Sequence, residues 1–166
     1  SVDVNAGLWA QTLKVTAGAN QINAEHSQAT PIAGQGSAPA FAIDVAQLGG
    51  MYANKITLVG TEAGVGVKNA GQIGASAGEV VITAAGQLIN SGTLAASGGI
   101  TLSTTDTLEN RGLVSAGQTL TIQADTVDNA ATRTAGLGLE GSAVNLTANH
   151  VDNHNGAVRA NTALNV

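Results

Sequence analysis

The sequence predicts an all-β chain wound as a right-handed parallel β-helix, a solenoid with rungs of about 20 residues, and three observations lead there. The chain repeats itself: Val80 to Gly99, VVITAAGQLINSGTLAASGG, lies without a gap over Ile100 to Thr119, ITLSTTDTLENRGLVSAGQT, a spacing of 20 residues. Each copy opens on a hydrophobic, spacer, hydrophobic step, at Ile56/Leu58, Val80/Ile82, Ile100/Leu102, Leu120/Ile122, Val144/Leu146 and Leu164/Val166. A period of two is that of a strand with one buried face. The 166 residues are 43% hydrophobic yet only 10% charged and 2% aromatic, with 22 glycines. A narrow lumen filled by Val, Ile, Leu and Ala, with Ser, Thr and Asn outside, has that composition.

Along the chain, the first corner is read at Asn5-Ala6-Gly7, by analogy with Asn69-Ala70-Gly71, Asn90-Ser91-Gly92 and Asn110-Arg111-Gly112. Asn and Gly tolerate the left-handed backbone of a sharp corner. Trp9, four residues after Asn5, then takes the place of Ile73, Leu94 and Val114 and is predicted to be core, not part of a sugar-binding patch with Phe41 and Tyr52. Asn23 to Ala40 holds both prolines, Pro31 and Pro39, and no periodicity, so an excursion from the coil is expected near residues 23–40. Tyr52 is expected to cap or fill a corner before the strand at Ile56. Copies at 56–79 and 120–143 run four residues longer than 80–99, predicting insertions at Thr61 to Gly66 and Ala130 to Ala143. Further apolar columns at Leu88, Leu108, Val127 and Val151, and at Ile73, Leu94, Val114 and Val158, bring the count to three short strands per turn. About eight turns would make a rod roughly 35 to 40 Å long.

Stacking also predicts columns with chemistry. Asn69, Asn90, Asn110, Asn129 and Asn153 are equivalent and would form a structural amide ladder along the rod. The residues before them, Lys68, Ile89, Glu109, Asp128 and Asp152, end in three carboxylates, read as a solvated acidic edge and not as a calcium site. No arginine or lysine accompanies those three at the same column, and no aromatic platform is close by, which argues against polysaccharide cleavage. His150 and His154 are four apart, but they flank a strand and corner of the repeat, so the spacing carries no helical zinc site. His26 stands alone in the excursion. No nucleophile elbow and no phosphate-cradling loop is present. No catalytic, cofactor-binding or metal-binding residue is assigned, and no cofactor is expected.

The net charge is -5, with six scattered Lys and Arg, which cannot neutralise a run of phosphates. Nucleic acid is therefore not an expected partner, nor an anionic membrane surface. No apolar run is long enough to span a membrane, no signal peptide is apparent, and the chain, opening on Ser1, is expected to be a piece of something longer. With no cysteine, nothing can cross-link during passage through an oxidising compartment.

On these residues the chain resembles the large exoproteins of bacterial two-partner secretion, the filamentous haemagglutinins and contact-dependent growth inhibition proteins. Val4 to Asn20, VNAGLWAQTLKVTAGAN, and Ala38 to Gln72, APAFAIDVAQLGGMYANKITLVGTEAGVGVKNAGQ, carry the resemblance most specifically. The later 20-residue copies look like the family's haemagglutinin repeats. The resemblance implies a β-helix within a very long rod, secreted to the surface of a Gram-negative cell. It implies that 1–79 are the end of a secretion domain with an extra-helical insertion, and 80–166 the first regular repeats. The implied function is that of a structural and adhesive segment, exported through a dedicated outer-membrane transporter that recognises mainly upstream residues, since the family's Asn-Pro-Asn motifs are absent here. A host-cell glycan or receptor, or a target-cell receptor, is the other implied partner, with the 23–40 loop as one candidate contact, and a monomeric rod is expected. The alternative is a carbohydrate-active β-helix enzyme of the polysaccharide lyase or hydrolase type.

Overall fold

Alternating small and β-branched residues favour strand locally. The computed structural model describes residues 1–25, 27–134 and 136–166, and among them there is no helix, hence none long and apolar enough to cross a membrane. Each turn has three faces. The first stacks Val2–Val4, Phe41–Val45, Gly66–Asn69, Leu88–Asn90, Thr107–Asn110, Thr126–Asp128 and His150–Asp152 in one parallel seven-stranded sheet. The second stacks Gly7–Trp9, Gly50–Ala53, Gln72–Ala75, Thr93–Ala96 and Leu113–Ala116. The third stacks Thr12–Ala17, Lys55–Gly60, Val80–Ala84, Ile100–Thr104 and Thr119–Gln123. In the last two turns these faces merge into single strands, Gly138–Thr147 and Val158–Asn165, which join both faces into a twelve-stranded sheet.

The parallel β-helix expected from the repeat is present, and the 20-residue spacing is its register: Val80 pairs with Ile100, and Ile100 with Leu120. Ile56, Leu58, Ile82, Leu88, Leu94, Ile100, Leu102, Leu108 and Leu120 are fully buried in one continuous core. Burying each side chain of this size stabilises the fold by roughly 1.5–3 kcal/mol. No turn does so alone, because each interior column is completed by the turns above and below.

Several expectations change. Seven stacked strands make six steps, a rod about 29 Å long at about 4.8 Å per step, not eight turns. The shortfall is the excursion, which begins earlier than residue 23: Asn20–Ile22 already pairs antiparallel with Ala29–Pro31 as a hairpin off the coil. Asn23 Oδ1 accepts the Ser27 and Gln28 N–H groups at 2.9 and 3.0 Å and closes its turn. Thr61 Oγ1 donates to Asn20 Oδ1 at 2.8 Å and ties the hairpin base to the insertion at Thr61 to Gly66. The later insertion is shorter than expected, since Gly138 to Ala143 already belong to a strand of the coil.

The corner glycines of the Asn-x-Gly motifs are not left-handed. Positive φ occurs instead at positions such as Gly18 (126°) and Gly64 (76°), where the chain leaves the coil. Gly71, Gly92 and Gly112 are needed for close approach: a Cβ at each would strike the carbonyl oxygen of Gly49, Gly71 and Gly92, one turn earlier.

The first corner is displaced by one residue. Val4 pairs with Val45, which pairs with Asn69, so Val4 and not Asn5 holds the ladder position. Leu8 then aligns with Met51 and Ile73, and Trp9 with Tyr52 and Gly74. A one-residue shift turns a strand side chain to the opposite face. Trp9 is therefore outside the core and 76% exposed. Tyr52 caps no corner; it stands on the outer side of Gly50–Ala53, stacked on Trp9 with ring centroids 5.6 Å apart and planes 19° apart.

Candidate functional site

The corners between the first and second faces bring the five asparagines into one file. Asn69 Nδ2 donates to Asn90 Oδ1 at 2.9 Å, Asn90 to Asn110 at 2.8 Å, Asn110 to Asn129 at 2.8 Å and Asn129 to Asn153 at 2.7 Å. Asn69, Asn90, Asn110 and Asn129 are buried and Asn153 is exposed. A sharp corner points backbone groups inward, where water cannot reach them. The amides answer them: Asn69 Oδ1 accepts the Gly71 N–H at 3.2 Å, and Asn110 Oδ1 the Gly112 N–H at 3.3 Å. Asn90 Nδ2 donates to the Leu113 carbonyl at 3.2 Å, and Asn129 Nδ2 to that of Ala157 at 2.9 Å. Only a short side chain with both a donor and an acceptor can do this at every turn. In the first two turns Val4 and Val45 occupy the column, and the second corner is the longer path Ala46-Gln47-Leu48-Gly49, closed by Gly49 N–H to the Ala46 carbonyl at 2.8 Å.

The neighbouring outward column reads Asp3, Asp44, Lys68, Ile89, Glu109, Asp128 and Asp152. A cation from outside the column reaches its carboxylates. Arg111, one residue past the ladder, places Nη1 2.8 Å from Asp128 Oδ1 and pairs Nη2 with Oδ2, while its Nε lies 3.7 Å from Glu109. Its hydrogen bonds hold Asp128 below the usual aspartate range, with help from the Ala130 N–H and against a smaller effect of burial. Reciprocally, Asp128 raises Arg111 above the usual arginine value. Asp152 Oδ1 accepts the His154 N–H at 2.8 Å. Asp128 and Asp152 thus serve as turn acceptors, and Asp128 also as an ion-pair partner. His150 opens a strand and His154 follows the corner. Among the described residues no three His, Asp or Glu side chains gather as metal ligands. His26 lies outside the described residues.

The second face carries the feature missed in the sequence. Below the Trp9 and Tyr52 rings its outward column continues as Gly74, Ala95 and Ser115, so a trough of about 600 Å³ runs down the rod under the aromatic pair. Only the corrected register reveals it.

Comparison with known proteins agrees with this geometry. Residues 1–96 match the family model described as the TPS secretion domain, and residues 75–166 that of the haemagglutinin repeat. The chain is 52% identical over 115 residues, 69% of its length, to a toxin CdiA of Yersinia pestis. It is 54% identical over 92 residues, 55% of its length, to a tRNA nuclease CdiA-2 of Burkholderia pseudomallei, and 41% identical over 126 residues, 76% of its length, to a 16S rRNA endonuclease CdiA of Enterobacter cloacae. These matches span only 4%, 3% and 4% of those proteins. No solved structure matches the chain. Proteins of this kind are secreted through the outer membrane to the surface of Gram-negative bacteria. With both models each matching more than half of it, the chain belongs to the exoproteins of two-partner secretion and is a structural β-helix segment in which a TPS secretion domain runs into haemagglutinin repeats.

Proposed function

We propose that this chain is a rigid stalk and adhesive segment with no chemistry of its own, exported by two-partner secretion and standing on the cell surface. The observation that carries the reading is the parallel stacking through seven strands of one face, in which one core, and from Asn69 onward one amide ladder, continue from secretion-domain sequence into repeat sequence. Such a rod gains stability turn by turn, so it can fold as it emerges from a pore without an external energy source.

In this reading residues 1–79 are the end of the secretion domain with its extra-helical hairpin, and 80–166 the first regular repeats. The change of corner between Val45 and Asn69 supports a transition in that part of the chain. The outer-membrane transporter is the partner during export, mainly through residues upstream. The file Asn69, Asn90, Asn110, Asn129 and Asn153 is structural, holding successive corners together. The nuclease names of the relatives belong to proteins of which this chain matches a few per cent, and no nuclease role is proposed for it.

Deleting 100–143, which lies beyond the residues that match the secretion-domain model, from the full-length parent in cells carrying its transporter should leave export intact and shorten the rod by two turns. Loss of export on that deletion would overturn the stalk reading. Turnover of an acidic polysaccharide, abolished by Asp128→Asn or Asp152→Asn, would replace it by the enzyme reading.

A further inference from the structure

We infer that the trough beneath Tyr52 on the second face binds a neutral pyranose sugar chain; the inference rests on the reading of the chain as an exposed adhesive rod and names its ligand class. Tyr52 stands between Trp9 in the turn before and Gly74 in the turn after. Trp9 backs one face of its ring at 5.6 Å between centroids. The Tyr52 ring lies back over Gly50, where a Cβ would stand 2.7 Å from its Cε2 and its hydroxyl oxygen, and its hydroxyl donates to Gln72 Oε1 of the next turn at 3.2 Å, so the ring is held at both ends. The other face looks along the rod towards Gly74, its partner in the next turn, which has no side chain to lay over it, and both residues line the trough. A Cβ at Gly74 would already lie 3.7 Å from Tyr52 Cδ1.

The electron-rich face of an aromatic ring attracts polarised C–H bonds, and the apolar face of a pyranose presents a flat set of them. Hydroxyls around the sugar's rim then need partners. Ser76, Ser97 and Asn54 line the trough, with Ser76 Oγ donating to Asn54 Oδ1 at 3.1 Å and fixing that amide at the rim. A mainly apolar site with a few placed polar groups, about 600 Å³ in volume, has the usual make-up and size of a small-ligand site.

Charge selects among occupants. Among the described residues no charged one lines the trough, so none of them compensates the carboxylates or sulfates of an acidic polysaccharide. An extended peptide is disfavoured for a different reason. Gly50–Ala53 is paired on both sides, to Gly7–Trp9 and to Gln72–Ala75, so an added strand finds no free edge. A neutral glycan needs neither an edge nor a counter-charge.

The test is calorimetric titration of the folded chain with neutral hexasaccharides of glucose, galactose and mannose, with polygalacturonate as the anionic comparator. At least one neutral probe should bind, and Tyr52→Ala and Gly74→Val should each weaken it at least tenfold while the β circular dichroism spectrum stays unchanged. Gly74→Val fills the trough and leaves both rings in place, so it separates loss of the site from loss of the aromatic pair. Absence of binding by every neutral probe, preference for polygalacturonate, or indifference to both substitutions would overturn the inference. So would self-association abolished by Tyr52→Ala, which would make a second copy the occupant. Export and rod formation are read separately, so a chain that is secreted and folded but binds no sugar refutes this site alone.

Discussion

Asn110 is fully buried, and each of its polar atoms is engaged: Nδ2 with Asn129 and the Gly112 carbonyl, Oδ1 with Asn90 and the Gly112 N–H. Asn110→Ala strands an amide hydrogen of Asn90 on one side and the amide oxygen of Asn129 on the other, while the Gly112 N–H keeps its bond to the Asn90 carbonyl at 3.1 Å. Each unsatisfied group costs about 1–3 kcal/mol, some of it recovered by remaining partners, so a loss of about 2–4 kcal/mol is expected in urea unfolding, read as a lower midpoint at constant slope. Beside it, Arg111 and Asp128 introduce a pH dependence. The folded pKa of Asp128 is depressed, so the stability it contributes is complete above about pH 4 and is lost as pH falls through the lowered folded value. The pair is partly exposed, which keeps the effect under about 1 kcal/mol. Urea titrations from pH 6 to pH 2 should show a shallower acid loss for Asp128→Asn than for the parent; equal slopes would mean that the ion pair contributes nothing. The asparagine column was legible in the sequence because it recurs with the repeat. Arg111 was not, because it occurs once, and its reach to the next turn is a fact of three dimensions.

At the scale of the corner, glycine serves contact between turns. Gly49, Gly71, Gly92 and Gly112 form a file in which each stands against the carbonyl of the one before. Gly92→Ala must push two turns apart or bend the corner, and overpacking of this kind destabilises by roughly 1–3 kcal/mol. Thermal melts should show the drop, whereas Gly36→Ala in the excursion, where a Cβ would meet nothing within 4 Å, should show only the strain of its positive φ (88°). Comparable melting temperatures for the two would refute the close-approach account. The Asn-x-Gly pattern announced a corner correctly, but its chemistry was assigned to the wrong cause. Sequence shows that a position prefers glycine; it does not show whether the backbone angle or a neighbouring carbonyl demands it.

For the whole molecule, equivalence of turns makes whole turns removable. Excising residues 100–119 joins Gly99 to Leu120 and sets the Val80 column directly on the Leu120 column, with an asparagine ladder shortened by one member. This variant should keep its β circular dichroism and a cooperative melt at lower temperature, because stability in a stacked array is a sum over turns and their interfaces. Excising residues 100–109 removes half a turn, breaks every column at once and should abolish the cooperative melt. If the second deletion melted like the first, stacking register would not be what holds the rod together.

From Val80 onward the sequence by itself determined the β-helix, its register and its interior, because a 20-residue period overlaid on a period of two leaves one way to stack apolar columns. It also determined the family. Tertiary structure decided what periodicity does not encode. In the first turn the repeat is too degenerate to set phase, and pairing of Val4 with Val45 shifted the register by one and turned Trp9 outward. The trough under Tyr52 needs residues from successive turns, among them a glycine whose significance is the side chain it lacks. Such a surface exists only once the turns are stacked, since neighbours across the rod lie about a full turn apart along the chain.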